Sequence, residues 1–264
     1  MTTQPPVAEP RAPRFTKDRL RGAIRAAYKE VACSPDRTFH FISGRPLARK
    51  MGYTDDMLQG IPEGSIASFA GTGNPFRGGP VGVGETVLDV GCGAGMDALI
   101  AARLTGDGGT VIGVDMTNEM LVKARANGRE IGAWNTQFTL GLAERLPVGA
   151  ETVNLVISNG VINLSPDKKQ VFDEIYRVLT PGGRFQISDV LVDEPVSVYA
   201  RDLIHLWTDC IAGGELVENY LGIIRRAGFK HVEIVEEIDV FNGAQVEEKA
   251  ARYGARGYLI RGWK

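Results

Sequence analysis

The fold of this 264-residue chain is decided by the stretch Val87-Leu88-Asp89-Val90-Gly91-Cys92-Gly93-Ala94-Gly95-Met96-Asp97. Apolar and β-favouring residues run into three glycines at alternate positions, which is typical of a buried strand that stops in a tight turn. Glycines allow the backbone of such a turn to approach a ligand closely, because no Cβ is in the way. A helix is then predicted from Met96 to Leu104, beginning beneath that ligand.

A second strand is predicted over Val111-Ile112-Gly113-Val114-Asp115, and its final carboxylate lies 26 residues after Asp89. Such a carboxylate accepts hydrogen bonds from both hydroxyls of a ribose, in dinucleotide and S-adenosylmethionine sites alike. A dinucleotide fingerprint is G-x-G-x-x-G, whereas Gly91, Gly93 and Gly95 follow G-x-G-x-G after an acidic residue. That acidic residue suits a ligand with an ammonium and a sulfonium group rather than a diphosphate. A tight turn without a ligand is the remaining alternative.

Strands and helices alternate through the rest of the chain. Strands are predicted near residues 85–90, 110–115, 136–140, 152–158, 183–189, 231–236 and 256–262. Helices are predicted near residues 96–104, 117–131, 167–179 and 215–227, with a short one over 244–252. This alternation predicts an α/β fold class, with a doubly wound, mostly parallel, seven-stranded sheet.

Two motifs resemble those of class I S-adenosylmethionine-dependent methyltransferases. Asp89–Gly95 resembles their D-x-G-x-G-x-G motif, and Tyr176–Phe185 resembles their R-V-L-K-P-G-G signature. Further runs are similar to arsenite methyltransferases, and more distantly to the C-methyltransferases of ubiquinone and menaquinone synthesis. These runs are 39–47, 68–75, 158–164, 167–171, 187–190 and 206–214. The likeness covers about residues 25–240.

The resemblance implies a Rossmann-like domain over residues 81–264, with an antiparallel final strand and S-adenosylmethionine as cofactor. It also places an N-terminal helical cap, acting as a substrate lid, over residues 16–80. Residues 1–15 contain no apolar signal core and are predicted to be a disordered tail.

The resemblance also assigns cofactor-binding residues. They are Asp89, Gly91, Gly93, Gly95, Asp115, Met116, Ala143, Glu144 and Asn159. The three glycines and Asn159 would lie at the methionine end, and Asp115 would hold the ribose. Met116 would cover one face of the adenine, although an ordinary core position explains this residue equally well.

Arsenite methyltransferases bind trivalent arsenic through cysteine thiolates, because soft ligands suit a soft acid. The family's cysteines fall at three places, of which only Cys210 is matched here. The segment 70–74 contains no sulfur, and Gly160 occupies the second place. Cys92 is explained as a small buried residue, while Cys33 lies in the N-terminal segment, within possible reach of a substrate pocket. One thiol cannot reproduce a three-thiolate site, so the resemblance predicts scaffold and reaction type.

Substrate-side residues also follow from the resemblance. It places five side chains near the methyl-accepting face: Asn74, Asn163, His205, Trp207 and Cys210. Cys210, His205 and Asn163 are the catalytic candidates. A helix over 201–211 would leave His205 and Asp209 on one face, as a base with its orienting carboxylate or as a mere exposed contact.

Composition limits the function classes. The formal net charge is −2 and no long Lys/Arg run occurs, so we expect a small-molecule substrate and no nucleic-acid partner. Three cysteines without metal spacing argue against a disulfide scaffold and against a metal site. No window approaches the roughly 18 apolar residues of a membrane span, so a cytoplasmic location is expected. The oligomeric state stays open.

Three functions are consistent with these patterns. The first is methyl transfer from S-adenosylmethionine to a soft nucleophile, such as a thiol, sulfide, selenium or arsenic compound. The second is methylation at carbon, nitrogen or oxygen of a metabolite, for which a base such as His205 would be needed. The third is a non-catalytic, S-adenosylmethionine-binding regulator.

Overall fold

A computed structural model describes residues 15–35, 37, 39 and 42–264, and a seven-stranded sheet forms its centre. The strands are β1 (Thr86–Val90), β2 (Thr110–Asp115), β3 (Thr136–Leu140), β4 (Val153–Asn159), β5 (Leu179–Leu191), β6 (Lys230–Ile238) and β7 (Arg256–Trp263). Their spatial order is β3-β2-β1-β4-β5-β7-β6. The strands pair in parallel, except that β7 runs antiparallel to both β5 and β6. The predicted fold class is confirmed, although β5 begins at Leu179 rather than near residue 183.

Helices precede the sheet and cover both of its faces. They are α1 (Lys17–Cys33), α2 (Gly44–Lys50), α3 (Asp55–Leu58), α4 (Glu63–Ala67), α5 (Met96–Thr105), α6 (Asn118–Glu130), α7 (Lys168–Val178), α8 (Val198–Arg201), α9 (Ile204–Thr208), α10 (Val217–Arg226) and α11 (Glu247–Ala251). Short 3-10 helices lie at Pro75–Gly78 and Ile162–Leu164. The four longer helices predicted within the sheet region correspond to α5, α6, α7 and α10.

Apolar packing on both faces explains why the central strands are buried nearly throughout. On one face, Leu99 of α5 belongs to the same apolar cluster as Val111 of β2. On the other face, the Phe172 ring of α7 lies 6.1 Å from the Phe185 ring and 5.3 Å from the Tyr220 ring. Parallel strands covered on both sides carry continuous apolar runs, as β1 and β4 do.

The strand register brings polar side chains together at one edge of the sheet. Asp89 in β1 is aligned with Gly113 in β2 and with Ile157 in β4. The carboxyl ends of these three parallel strands therefore meet, and Asp115 and Asn159 terminate the two outer ones. Since crevices at this edge bind ligands in doubly wound sheets, the register positions the candidate site.

The N-terminal segment is helical, as predicted, and α1 packs against both α6 and α9. The predicted tail at 1–15 lies, apart from Phe15, outside the described residues. The continuous helix predicted over 201–211 is wrong. The backbone is extended at Leu203, between α8 and α9, and left-handed at Cys210 (φ +61°), which ends the helical turn. Among the described residues, no helix is long and apolar enough to cross a membrane.

Candidate functional site

An open cleft of about 1050 Å³ lies at the carboxyl ends of β1, β2 and β4. Most of the predicted cofactor residues line it. They are Asp89, Gly91, Gly93, Asp115, Met116, Ala143, Glu144 and Asn159. Gly95 is not among the lining residues. It precedes α5, where an added Cβ would lie 3.3 Å from both Ala124 Cβ and Phe138 Cζ, so it allows close packing behind the cleft.

The glycine turn uses backbone conformations that L-residues rarely adopt. Gly91, Gly93 and Gly95 have φ values of +76°, +52° and +93°. A Cβ on Gly91 would lie 2.2 Å from Val161 Cγ2, so this glycine is required both by its dihedral angle and by space. The turn therefore presents bare backbone to the cleft.

Replacing Gly91 by alanine is expected to lower the free energy of unfolding by about 2–4 kcal/mol, because left-handed strain adds to the clash with Val161. Chemical denaturation measures this value. Gly182→Ala is the matched control, since Gly182 also has positive φ (+79°) but open space at its Cβ position. If both variants lose the same amount, the contact with Val161 contributes nothing.

Asp115 is fixed by backbone donors at the end of β2. Its Oδ2 accepts from the Gly93 N–H at 3.0 Å and its Oδ1 from the Thr117 N–H at 2.7 Å. Burial raises the pKa of Asp115, and these backbone hydrogen bonds oppose that rise. The carboxylate thus ties the glycine turn to β2 while facing the cleft.

Asp89 holds an unpaired oxygen at the floor of the cleft. The side chain is 2% exposed, and its Oδ2 has no hydrogen-bond partner among the described residues. Burial, followed by the nearby carboxyls of Asp97 and Asp115, raises the pKa of Asp89 well above its usual value. Three clustered carboxyl groups with one orphaned oxygen favour a cationic ligand that donates hydrogen bonds.

Asn159 joins the cleft to the segment that follows α4. Its Oδ1 accepts from the backbone N–H groups of Thr72 (2.7 Å) and Gly73 (3.2 Å), and its Nδ2 donates to Asp97 Oδ2 at 3.1 Å. A Cβ on Gly71 would lie 2.5 Å from Asn159 Cγ, so the backbone there must be glycine. Asn159 therefore positions the 70–74 segment as one wall of the cleft.

Helix α1 also contributes side chains to the lining of the cleft. Arg21 donates to Glu144 Oε1 at 3.2 Å, and the Ser165 hydroxyl donates to the same oxygen at 2.9 Å. Arg25 Nε donates to the carbonyl oxygen of Met116 at 3.2 Å. Two predicted adenine-side residues, Met116 and Glu144, are thus contacted by side chains of α1.

The three catalytic candidates do not lie together. Asn163 is buried and donates through Nδ2 to the carbonyl oxygen of Cys210 at 3.2 Å. His205 is exposed, whereas Asp209 is buried and lies 3.5 Å from Lys249. None of the three candidates is a lining residue of the cleft. The structure groups Cys210 with Asn163 and leaves His205 on the surface.

Asn74 and Cys33 both lie away from the lining of the cleft. Asn74 is buried, accepts from the Phe76 N–H and donates to the carbonyl oxygen of Gly52, so it caps a 3-10 helix. Cys33 is exposed at the end of α1. Neither residue is among those that line the cleft.

A buried polar cluster beside Cys210 was missed from the sequence. Lys168 Nζ donates to the carbonyl oxygens of Asn163 and Ser165, both at 3.0 Å, and lies 5.6 Å from the centroid of the Trp207 ring. Asp189 accepts from the Tyr220 hydroxyl at 2.7 Å. Lys168 lies in an amphipathic helix where charge predicts exposure, so pattern alone gives no signal for its burial.

Tyr28 was also missed, and it connects the two regions. The side chain lines the cleft from α1. Burial raises the pKa of Tyr28, and Cys210, Asp115 and Asp189 raise it further. Tyr28 therefore lies within electrostatic reach of both the ribose-side carboxylate and the thiol.

The buried cluster predicts a pH dependence of stability. Burial raises the pKa of Asp189 to about 7 from a usual 3.8, so the folded protein binds an additional proton between these values. The free energy of unfolding should therefore fall by about 2–3 kcal/mol through Asp189 alone as pH rises from 5 to 7.5. Denaturation of Asp189→Asn should show a shallower fall; Asp97, with its pKa raised to about 6, supplies the remainder.

Tyr220→Phe is the control for that measurement. It removes the hydrogen bond to Asp189 Oδ2 and leaves the carboxyl group in place, so the fall in stability should become steeper. A pH profile unchanged in both variants would contradict a titrating Asp189.

Comparison with known proteins decides the family. A model described as "Methyltransferase domain" matches residues 82–228, more than half of the chain. This chain belongs to the methyltransferase domain family. The matched region runs from just before β1 to just after α10, so it contains the residues at the floor of the cleft.

Curated relatives show which kind of methyltransferase this chain resembles. This chain is 44% identical over 187 residues to an arsenite methyltransferase of Halobacterium salinarum, covering 71% of this chain and 48% of the relative. A human arsenite methyltransferase is 34% identical, covering 54% of this chain and 40% of the relative. The chain thus spans about half the length of the curated relatives it matches. The predicted resemblance to arsenite methyltransferases is confirmed.

A solved structure agrees in fold. The crystal structure of an arsenic(III) S-adenosylmethionine methyltransferase from Chlamydomonas reinhardtii is 32% identical, with a TM-score of 0.58. The match covers 84% of this chain and 74% of the algal chain. Among the described residues, no group of three or more His, Cys, Asp or Glu side chains could hold a metal ion.

Proposed function

We propose that this protein transfers a methyl group from S-adenosylmethionine to trivalent arsenic. The observation that carries the proposal is the pairing of Cys210 with Asn163 beside a carboxylate-floored cleft, in a chain 44% identical to an arsenite methyltransferase. A cytoplasmic location and the absence of a nucleic-acid partner stay predictions.

The cleft has groups that match each part of the cofactor. The orphaned Asp89 Oδ2 can accept from the ammonium of the methionine moiety, and the carboxyl cluster complements a sulfonium. Asp115 would hold the ribose, and Met116 would lie against the adenine. When bound, S-adenosylmethionine would supply an electrophilic methyl group with a neutral thioether as leaving group. The remaining task of the protein is to align the acceptor and exclude water.

Cys210 is the residue proposed to hold arsenic. Burial raises the pKa of Cys210 to about 12, and hydrogen bonding from Asn163 opposes this rise, so the free thiol stays protonated at neutral pH. Exchange of that thiol with a hydroxyl of As(OH)₃ forms an S–As bond and releases water. The As(III) lone pair then remains available for the methyl group.

Two places in the cysteine pattern of the family, the 70–74 segment and Gly160, contain no sulfur. A Cβ on Gly160 would lie 3.1 Å from Thr72 Cγ2, so these two positions face each other without sulfur. Gly160 and Gly71 line the cleft. This departure supports an acceptor held by one sulfur only.

Methyl transfer from labelled S-adenosylmethionine tests the proposal, with arsenite, methylarsonite, selenite, small thiols and quinols as acceptors and with headspace analysis. Methylated arsenic is the expected product. Methylation of a quinol in the absence of any arsenical product would contradict the proposed acceptor. Cofactor binding without any turnover would indicate a regulator.

The cap should retain the cofactor through charged contacts. Lys17, Arg21 and Lys29, spaced along one side of α1, pair with Asp167, Glu144 and Glu119 at 2.8, 3.2 and 2.8 Å. We expect Arg21→Met to weaken S-adenosylmethionine binding by about fivefold, because an ion pair and a lining side chain are lost. Calorimetric titration measures the affinity.

Arg19→Met is the matched control, since Arg19 is an exposed residue on the same helix. It should leave the affinity unchanged. Equal affinities for the unmodified protein and Arg21→Met would show that this pair does not hold the cap over the cofactor.

A further inference from the structure

Two buried oxygen atoms beside Cys210 have no hydrogen-bond partner among the described residues. They are Asn163 Oδ1 and Asp189 Oδ1, on side chains with 0% exposure. A buried polar atom without a partner costs about 1–3 kcal/mol, so a group that satisfies it is expected in the working protein.

The two orphaned oxygens belong to one cluster with the thiol. Asn163 reaches Cys210 through its amide, which donates to the Cys210 carbonyl oxygen and opposes the rise in the thiol pKa. The Asn163 backbone amide acts on Asp189 in the same direction. Asn163 therefore lies between the thiol and the carboxyl group.

The backbone around the cluster leaves little freedom. Cys210 has a left-handed backbone, and a Cβ on Gly213 would lie only 1.9 Å from the carbonyl oxygen of Asn163. Lys168 holds that same carbonyl oxygen from the other side. The segment carrying Cys210 is thus packed directly onto Asn163.

We propose that Asn163 Oδ1 and Asp189 Oδ1 form a hydroxyl-binding subsite for a substrate held by Cys210. The ligand class is a neutral trivalent arsenical with hydroxyl groups left after one S–As bond has formed. The inference rests on the proposed function and goes beyond it. In the family, further thiols hold the arsenical, and here two oxygen acceptors would hold it instead.

The binding of As(OH)₃ to Cys210 breaks two bonds and forms two. The S–H bond of Cys210 and one As–O bond break, an S–As bond and an O–H bond form, and the thiol proton leaves with the hydroxide as water. Arsenic remains trivalent. Two hydroxyl groups of As(OH)₃ are then left, and each can donate to one orphaned oxygen. A neutral ligand suits the cluster, since Lys168 already lies among the carboxyl groups of Asp189 and Glu215.

Two arsenicals separate this role from a merely structural one. Arsenite keeps two hydroxyls after bonding to Cys210, whereas dimethylarsinous acid keeps none. The affinity of each arsenical is measured on the full chain, in a Cys33→Ser background. The readout is the protection of Cys210 from alkylation, which peptide mass analysis detects. Asn163→Leu should weaken arsenite binding by about tenfold and change dimethylarsinous acid binding less than about twofold.

Asn163→Asp is the matched variant. It loses the same donor to the Cys210 carbonyl oxygen and keeps an acceptor at Oδ1, so the ratio of the two affinities should stay near that of the unmodified protein. Thermal unfolding confirms that both variants are folded. A displacement of the Cys210 side chain would weaken both arsenicals, because both bind the same sulfur. The ratio of the two affinities would therefore not change.

The alternatives give different results. If Asn163→Leu weakens both arsenicals equally, Asn163 only positions the thiol, and if it weakens neither, the orphaned oxygens take only water. Either result overturns the subsite and leaves the proposed function standing. If neither arsenical protects Cys210 in the unmodified chain, the proposed function fails together with the subsite.

Discussion

Replacing Cys210 by serine is expected to reduce kcat/KM for arsenite methylation by about 100-fold or more, a loss of roughly 3 kcal/mol of transition-state stabilisation. The reason is chemical. Cys210 is the only cysteine that matches a cysteine position of the arsenite methyltransferase pattern, and a serine hydroxyl is a hard ligand that does not hold trivalent arsenic comparably. Initial rates of methylated arsenic formation measure the effect.

Cys33→Ser is the matched control for that variant. Cys33 is exposed and is not a lining residue of the cleft, so its replacement should leave the rate unchanged. S-adenosylmethionine affinity should be equal in all three proteins, because Cys210 is not a lining residue either. An unchanged rate in Cys210→Ser would refute a sulfur-bound substrate.

Replacing Asp115 by alanine is expected to weaken S-adenosylmethionine binding by about 100-fold. Two ribose hydrogen bonds to a charged acceptor would be lost, each contributing about 1.5–3 kcal/mol. The Gly93 and Thr117 N–H groups would also lose their acceptor, which loosens the glycine turn. Calorimetric titration with the cofactor checks the affinity.

Asp115→Asn separates the two contributions. The amide keeps the shape and one oxygen, so binding should weaken only about tenfold and the turn should stay ordered. If Asp115→Ala binds the cofactor as tightly as the unmodified protein, Asp115 does not hold the ribose and its role is confined to the turn.

Local patterns predicted the fold and the cofactor side of the site. The alternation of apolar strands with amphipathic helices depends on short-range periodicity, and a parallel sheet brings the carboxyl ends of its strands together without further information. Asp89, Asp115 and Asn159 therefore converge as the sequence predicts. Gly95 differs because the same left-handed geometry serves packing against Ala124 and Phe138 as well as ligand approach.

Local sequence patterns predicted the structure less well where a short segment depends on contacts with residues distant in the chain. The stretch 201–211 has helical spacing, yet the structure interrupts the helix at Leu203, where the backbone is extended. The helical backbone ends again before Cys210, whose backbone is left-handed and whose carbonyl oxygen accepts from Asn163. The predicted partnership of His205 and Asp209 relied on an unbroken helix. Asp209 lies instead near Lys249 of α11, a residue 40 positions away in the chain.

The sequence by itself determined the α/β fold, the glycine turn and the carboxylates around it, because each follows from local periodicity and from the fixed geometry of parallel strands. Only the tertiary structure decided that Lys168 and Asp189 are buried beside Cys210. Burial of a charged side chain depends on partners distant in the chain, here Tyr220 for Asp189 and Trp207 for Lys168, and no local pattern encodes such partners.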